Sequence, residues 1–331
     1  MPQMRNHFEM VNSSCSLNER ARQRCQSLID DGEALRVAVS VEAGATVIDC
    51  GVKVAGGLEA GRVMAEVCMG GRAQVQLVPS DLAGHRGPAV AVATDAPLEA
   101  CLGAQYAGWP ISVGKYFAMG SGPMRCLRGR EAVLEEYHLV QTGSRAVGVL
   151  ETGKMPSAEV CRQIADECKV PVDALTLLVA PTASLAGSLQ IVARSVETAL
   201  HKLHTLHFDL TKVVSGFGVA PLPPVAANDL QGIGFTNDAV LYGSEVTLWI
   251  RGSNDELQAI GPQIPSSSSR DFGRPFAEIF ESYERDFYRI DPLLFSPAVV
   301  NLASLETGRI WRFGERHPEI LQRSFGCESG S

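Results

Sequence analysis

Between Leu185 and Leu203 the apolar positions fall at Leu185, Leu189, Val192, Val196, Ala199 and Leu203. These steps of four and three residues draw one stripe along a helix. Just before it, Leu177, Leu178, Val179 and Ala180 form a continuous apolar run, as a strand covered on both faces does. Pro181, Thr182 and Ser184 interrupt that run, and Thr182 or Ser184 offers a hydroxyl to cap the next helix. The pattern therefore predicts a buried strand, a turn, and one long helix reaching about His204. The face opposite the stripe carries Gly187, Gln190, Arg194, Glu197 and His201.

Similar patterning predicts helices over 16–33, 58–69, 97–105, 157–168, 275–287 and 318–325. It predicts strands over 35–41, 45–54, 73–78, 88–94, 146–151 and 245–251. Glu42-Ala43-Gly44 joins the first two strands as a hairpin. A second hairpin joins 299–304 to 309–313, with Gly308 free to take a positive φ in its turn. Residues 106–125 show no period, and 215–228 read as a rigid, proline-rich turn. Thr236-Asn237-Asp238 reads as a helix cap or a ligand contact. Strands alternating with helices give a mixed α/β fold. The expected arrangement is two α/β domains, 1–152 and 153–331, with a ligand cleft between them. The boundary is soft, since the halves can exchange strands.

A chain of 331 residues, 45% hydrophobic and 20% charged, has the composition of an ordinary globular protein. No apolar run has the length of a membrane span, so no membrane partner is expected. The first twenty residues lack the apolar core of a signal peptide and read as an irregular lead-in. Nine cysteines with no Cys-x-x-Cys pair suggest free thiols in a reducing cytoplasm. A net charge of −8 argues against a nucleic-acid partner. Gly56, Gly57 and Gly61 lack a Gly-Lys-Ser/Thr signature and read as turn and cap residues. His201, His204 and His207 recur every third residue, but no cysteine or acidic ligand joins them at a standard spacing, so no metal site is expected.

Two stretches admit chemistry. Arg194 and Glu197 are an ordinary solvated pair on one reading. On the other, Ala186 and Gly187 let a ligand approach the helix start while Arg194 and Glu197 meet it further along. In 106–125, Tyr106, Trp109, Tyr116 and Phe117 are suited to cover a flat ring system, and Lys115 and Ser121 to meet its polar groups. The alternative is that these aromatics pack under a long loop. Gln190 and Asn237 complete the candidate ligand contacts.

The run APTASLAGSLQIVARSVETALHK resembles methenyltetrahydromethanopterin cyclohydrolases. So do SVEAGATVIDCGV, LGAQYAGWPISVGKYFAMGSGPMR, APLPP, TNDAVLYG and SRDFGRPFAEIFESYERDFYRIDPLLFSPA, in the family's order. The resemblance implies that Arg194 and Glu197 are catalytic and that 106–125 faces a pterin. It implies hydrolysis of a methenyl bridge between two pterin nitrogens. The substrate would ride on a tetrahydromethanopterin carrier, with no prosthetic group. It also implies a homotrimer. Against this stand a non-catalytic pterin-binding protein and a structural subunit of a one-carbon complex.

Overall fold

The computed structural model describes residues 16–326. The N-terminal lead-in, Cys15 and Cys327 lie outside them. Among the described residues twelve strands build two six-stranded sheets. The first runs in the order β1 (Ala38–Glu42), β2 (Ala45–Asp49), β8 (Leu175–Ala180), β7 (Ala146–Glu151), β6 (Tyr116–Ser121), β5 (Trp109–Val113). The second runs β12 (Ile310–Gly314), β11 (Val299–Ser304), β10 (Glu245–Ile250), β9 (Val213–Pro221), β4 (Pro88–Thr94), β3 (Gln74–Pro79). Every residue of β8 is buried, and it lies parallel to both neighbours, β2 and β7. That is the place its unbroken apolar run calls for. Each sheet takes strands from both sides of Thr152: β8 joins the first sheet, while β3 and β4 pair with the second.

Turn chemistry fixes the hairpins. Ala43 and Gly44 both have positive φ, the conformation a two-residue hairpin turn requires. Gly308 takes φ 71° between β11 and β12.

Four expectations change. Residues 106–125 contain a hairpin, β5 to β6, followed by the short helix Met124–Arg128. Trp109 and Ile111 point inward and Pro110 and Ser112 outward. This alternation is too brief to stand out among the glycines and aromatics. Much of the predicted turn 215–228 is β9, whose glycines make room for a helix. A Cβ on Gly216 would lie 2.7 Å from Val196 Cγ1, and one on Gly218 would lie 2.4 Å from Ser195 Oγ. Thr236, Asn237 and Asp238 sit inside the helix Asp229–Gly243, whose cap is Asn228 accepting from the Gln231 amide. Finally, Leu98–Gln105 is a π-helix, a form that rarely extends beyond one turn.

Candidate active site

The predicted long helix is two helices, Leu185–Val192 and Ser195–Thr205. Ala193 (φ −63°, ψ 1°) and Arg194 (φ −87°, ψ 9°) form the corner between them. Ser184 caps the first helix by accepting from the Gly187 amide at 3.0 Å. Gly187 serves packing and not ligand access, because a Cβ there would lie 2.0 Å from the Pro181 carbonyl oxygen. Ala186 is likewise taken up, with its Cα 2.9 Å from where a Gly61 Cβ would stand.

At the corner Arg194 turns inward and is 7% exposed. Its Nη1 donates to the Gln105 carbonyl at 2.8 Å. Its Nη2 donates to Glu151 Oε1 at 2.5 Å, with Ser121 Oγ at 3.3 Å and Gln190 Oε1 at 3.4 Å. The solvated reading of the Arg194–Glu197 face therefore fails. The direct ionic partner of Arg194 is Glu151, at the end of β7.

Glu197 lies in the first turn of the second helix, where the peptide dipoles favour a carboxylate. It is 5% exposed. None of the hydrogen bonds among the described residues reaches its carboxylate. Burial pushes its pKa up to about 7, against the lowering pull of Arg194 and Arg125, with Glu151 adding to the rise.

The π-helix closes one side of this group. Buried Arg125 donates from Nη1 to the carbonyls of Leu102, Gly103 and Ala104 at 3.0, 3.1 and 3.3 Å, and it pairs with Glu131. Gln105 donates from Nε2 to the Ala193 carbonyl at 3.1 Å, tying the π-helix to the corner. Tyr106 follows directly. Its ring stacks on His201 at 5.2 Å and lies 5.1 Å from the Arg125 guanidinium carbon.

Of the residues singled out by sequence, Arg194, Glu197, Tyr106, Ser121 and Gln190 come together. Trp109 does not join them. It is 1% exposed, in the core of the first sheet, with the Arg128 guanidinium carbon 4.3 Å from its ring. Lys115 and Phe117 are exposed at the hairpin tip, the far end of β6 from Ser121. Asn237 donates to its own helix, at the Ile233 carbonyl. The histidines diverge: His201 stacks on Tyr106, while His204 meets Glu136 at 2.8 Å.

The profile of a family described as Cyclohydrolase (MCH) matches residues 16–325. Over 315 residues the chain is 51% identical to the methenyltetrahydromethanopterin cyclohydrolase of Rhodopirellula baltica, covering 94% of this chain and 95% of the relative. It is 46% identical over 312 residues to that of Methylobacillus flagellatus, covering 94% and 95%. It is 42% identical over 318 residues to that of Methanosarcina barkeri, covering 95% and 99%. The chain belongs to the methenyltetrahydromethanopterin cyclohydrolase family.

The matched region of this cyclohydrolase contains both sheets and the whole Arg194–Glu197 group. Sequence reasoning missed Glu151, Gln105, Arg125 and Glu131. Glu151 ends an otherwise apolar strand, which is a weak signal for a charge aimed at something. Arg125 gave none, since an arginine after a glycine-rich stretch is most often exposed. Among the described residues no helix is long and apolar enough to cross a membrane.

Proposed function

We propose that this cyclohydrolase opens the methenyl bridge of 5,10-methenyltetrahydromethanopterin with water, giving the 5-formyl compound in one-carbon metabolism. The observation that carries the reading is the Glu197 carboxylate. It is buried, without a hydrogen bond from any of the described residues, and set beside a guanidinium fixed by other partners.

The bridging carbon of the substrate is cationic and needs only a positioned water and a base. Water oxygen bonds to that carbon while one water proton passes to Glu197. The adduct is a neutral carbinolamine. Glu197 returns the proton to one nitrogen as its bond to the carbon breaks, and the hydroxyl proton leaves as the formyl C=O forms. The sum is one methenyl cation and one water giving one formyl compound and one proton. Arg194 orients this chemistry: its Nε–H has no partner among the described residues and is the donor left for the water or the nascent formyl oxygen. Glu197 also offsets the substrate's positive charge.

In this reading the pterin occupies a cleft between the two sheets, against Tyr106, Ser121 and Gln190. The carrier arrives and departs as substrate and product. The protein works in the cytoplasm as a homotrimer, for which light scattering should return about three times 35.4 kDa. The activity is tested by mixing the purified protein with methenyltetrahydromethanopterin. Absorbance of the methenyl chromophore should decay with formyl product accumulating in step. A protein that binds the pterin and leaves the chromophore intact contradicts the proposal.

A further inference from the structure

Side chains three apart on a helix are near enough to pair. Arg194 and Glu197 have that spacing and do not pair. The guanidinium is held from elsewhere, by the Gln105 carbonyl at 2.8 Å on one side and by Glu151 Oε1 at 2.5 Å on the other. Glu151 occupies the last position of β7, in register with Ala180, which ends β8. Two strands of the first sheet thus deliver its carboxylate to the corner between the helices. Its side chain is 15% exposed and that of Arg194 is 9%, so the pair is largely shielded from water.

We propose that Glu151 is a positioning residue for the hydrolysis, holding the Arg194 guanidinium away from Glu197 so that the Glu197 carboxylate stays free to take a proton from water. This role rests on the function proposed above. Two carboxylates compete for one cation. While Glu151 occupies Nη2, no cation among the described residues is bonded to the Glu197 oxygens. If Glu151 loses its charge, Nη2 loses its closest partner and is drawn to the remaining carboxylate. A carboxylate bonded to a guanidinium is a weaker base and points away from the substrate. The charged and titratable groups facing Glu197 are Arg194, Arg125 and Glu151, together with Cys101 and Tyr106 from the π-helix and the residue after it. Arg125 is committed to Glu131 and to three carbonyls, so it is not free to take over from Arg194.

The test compares wild type, Glu151→Gln and Glu151→Asp, each first checked by circular dichroism and thermal melting. The pH dependence of kcat and kcat/KM is then followed through loss of methenyl absorbance. In Glu151→Gln, kcat should fall about tenfold or more, the scale of a misplaced catalytic group. The acid limb of kcat/KM should move to lower pH, because Glu197 is now paired. Glu151→Asp should recover part of both. A merely structural glutamate would lower the melting temperature, and loss of its charge alone would move the limb without lowering kcat, since that charge itself raises the Glu197 pKa. An acid limb that stays with the wild type's overturns the role, as does a kcat within twofold of it. Should Glu151→Gln not fold, Glu151→Ala carries the same comparison, and a kcat there within twofold of the wild type's overturns the role. An inactive wild type overturns the hydrolytic reading and this role together. An active wild type with an unmoved variant limb overturns this role alone.

Discussion

As the proposed base, Glu197 combines two demands that conflict in most carboxylates. A base must be ionised to accept a proton, yet a strongly stabilised carboxylate is a poor acceptor. Burial resolves the conflict by holding its pKa near neutrality, at about 7. Arg194 and Arg125 keep it from rising further. A carboxylate with a raised pKa is protonated below that value and ionised above it. The rate at low substrate, kcat/KM, should therefore climb with pH through about 7, where free Glu197 loses its proton. A bound cationic substrate favours the ionised form, so the matching limb of kcat should lie at lower pH. Stopped-flow pH profiles check both limbs. A kcat/KM flat from pH 5 to 8 would remove Glu197 from the proton transfer.

At the scale of elements, the decisive feature is the corner at Ala193 and Arg194. The apolar stripe from Leu185 to Leu203 runs through it without a gap, because both helices pack that stripe into one core, and the opposite face with Gln190, Arg194 and Glu197 is buried as well. A sequence pattern reports which side is buried and not where the axis bends, so one helix was legible and two were not. The Arg194 and Glu197 spacing was legible because it is local. Glu151, 43 residues from Arg194, was not, since strand topology brings it there. The glycines of β9 were legible only as breakers, whereas their structural use is the close seat of the second helix. Gly218→Ala tests that seat. The added methyl, 2.4 Å from Ser195 Oγ and 3.0 Å from Val196 Cγ2, forces the Ser195 hydroxyl to turn and presses Val196 and the helix carrying Glu197. We expect a loss of about 1–3 kcal/mol in stability, typical of overpacking, together with reduced kcat. Calorimetry and turnover measure the two effects. A variant with unchanged melting and unchanged rate would mean that the contact is not tight.

Across the whole molecule the two sheets share the chain in a way that couples their folding. β8 lies between β2 and β7, and all six of its residues are buried. β3 and β4, from the first half of the chain, complete the second sheet beside β9. A fragment ending at Thr152 would keep β2 and β7 but lose the strand between them. Expressed alone it should lack a cooperative melting transition, and its amide spectrum should show poor dispersion. A fragment that melts sharply would contradict the coupling. The same exchange places Glu151 and Arg194, from opposite sides of Thr152, in one ion pair, so the proposed site needs both halves of the chain.

The most direct test of the central claim is the turnover of Glu197→Gln, an isosteric change that removes the proposed base and keeps the side chain's shape. With substrate binding retained, kcat for loss of the methenyl chromophore should fall by about 10²–10⁴, the contribution typical of a general base. Turnover within about threefold of wild type would contradict the assignment, since a base contributing so little is not carrying the proton.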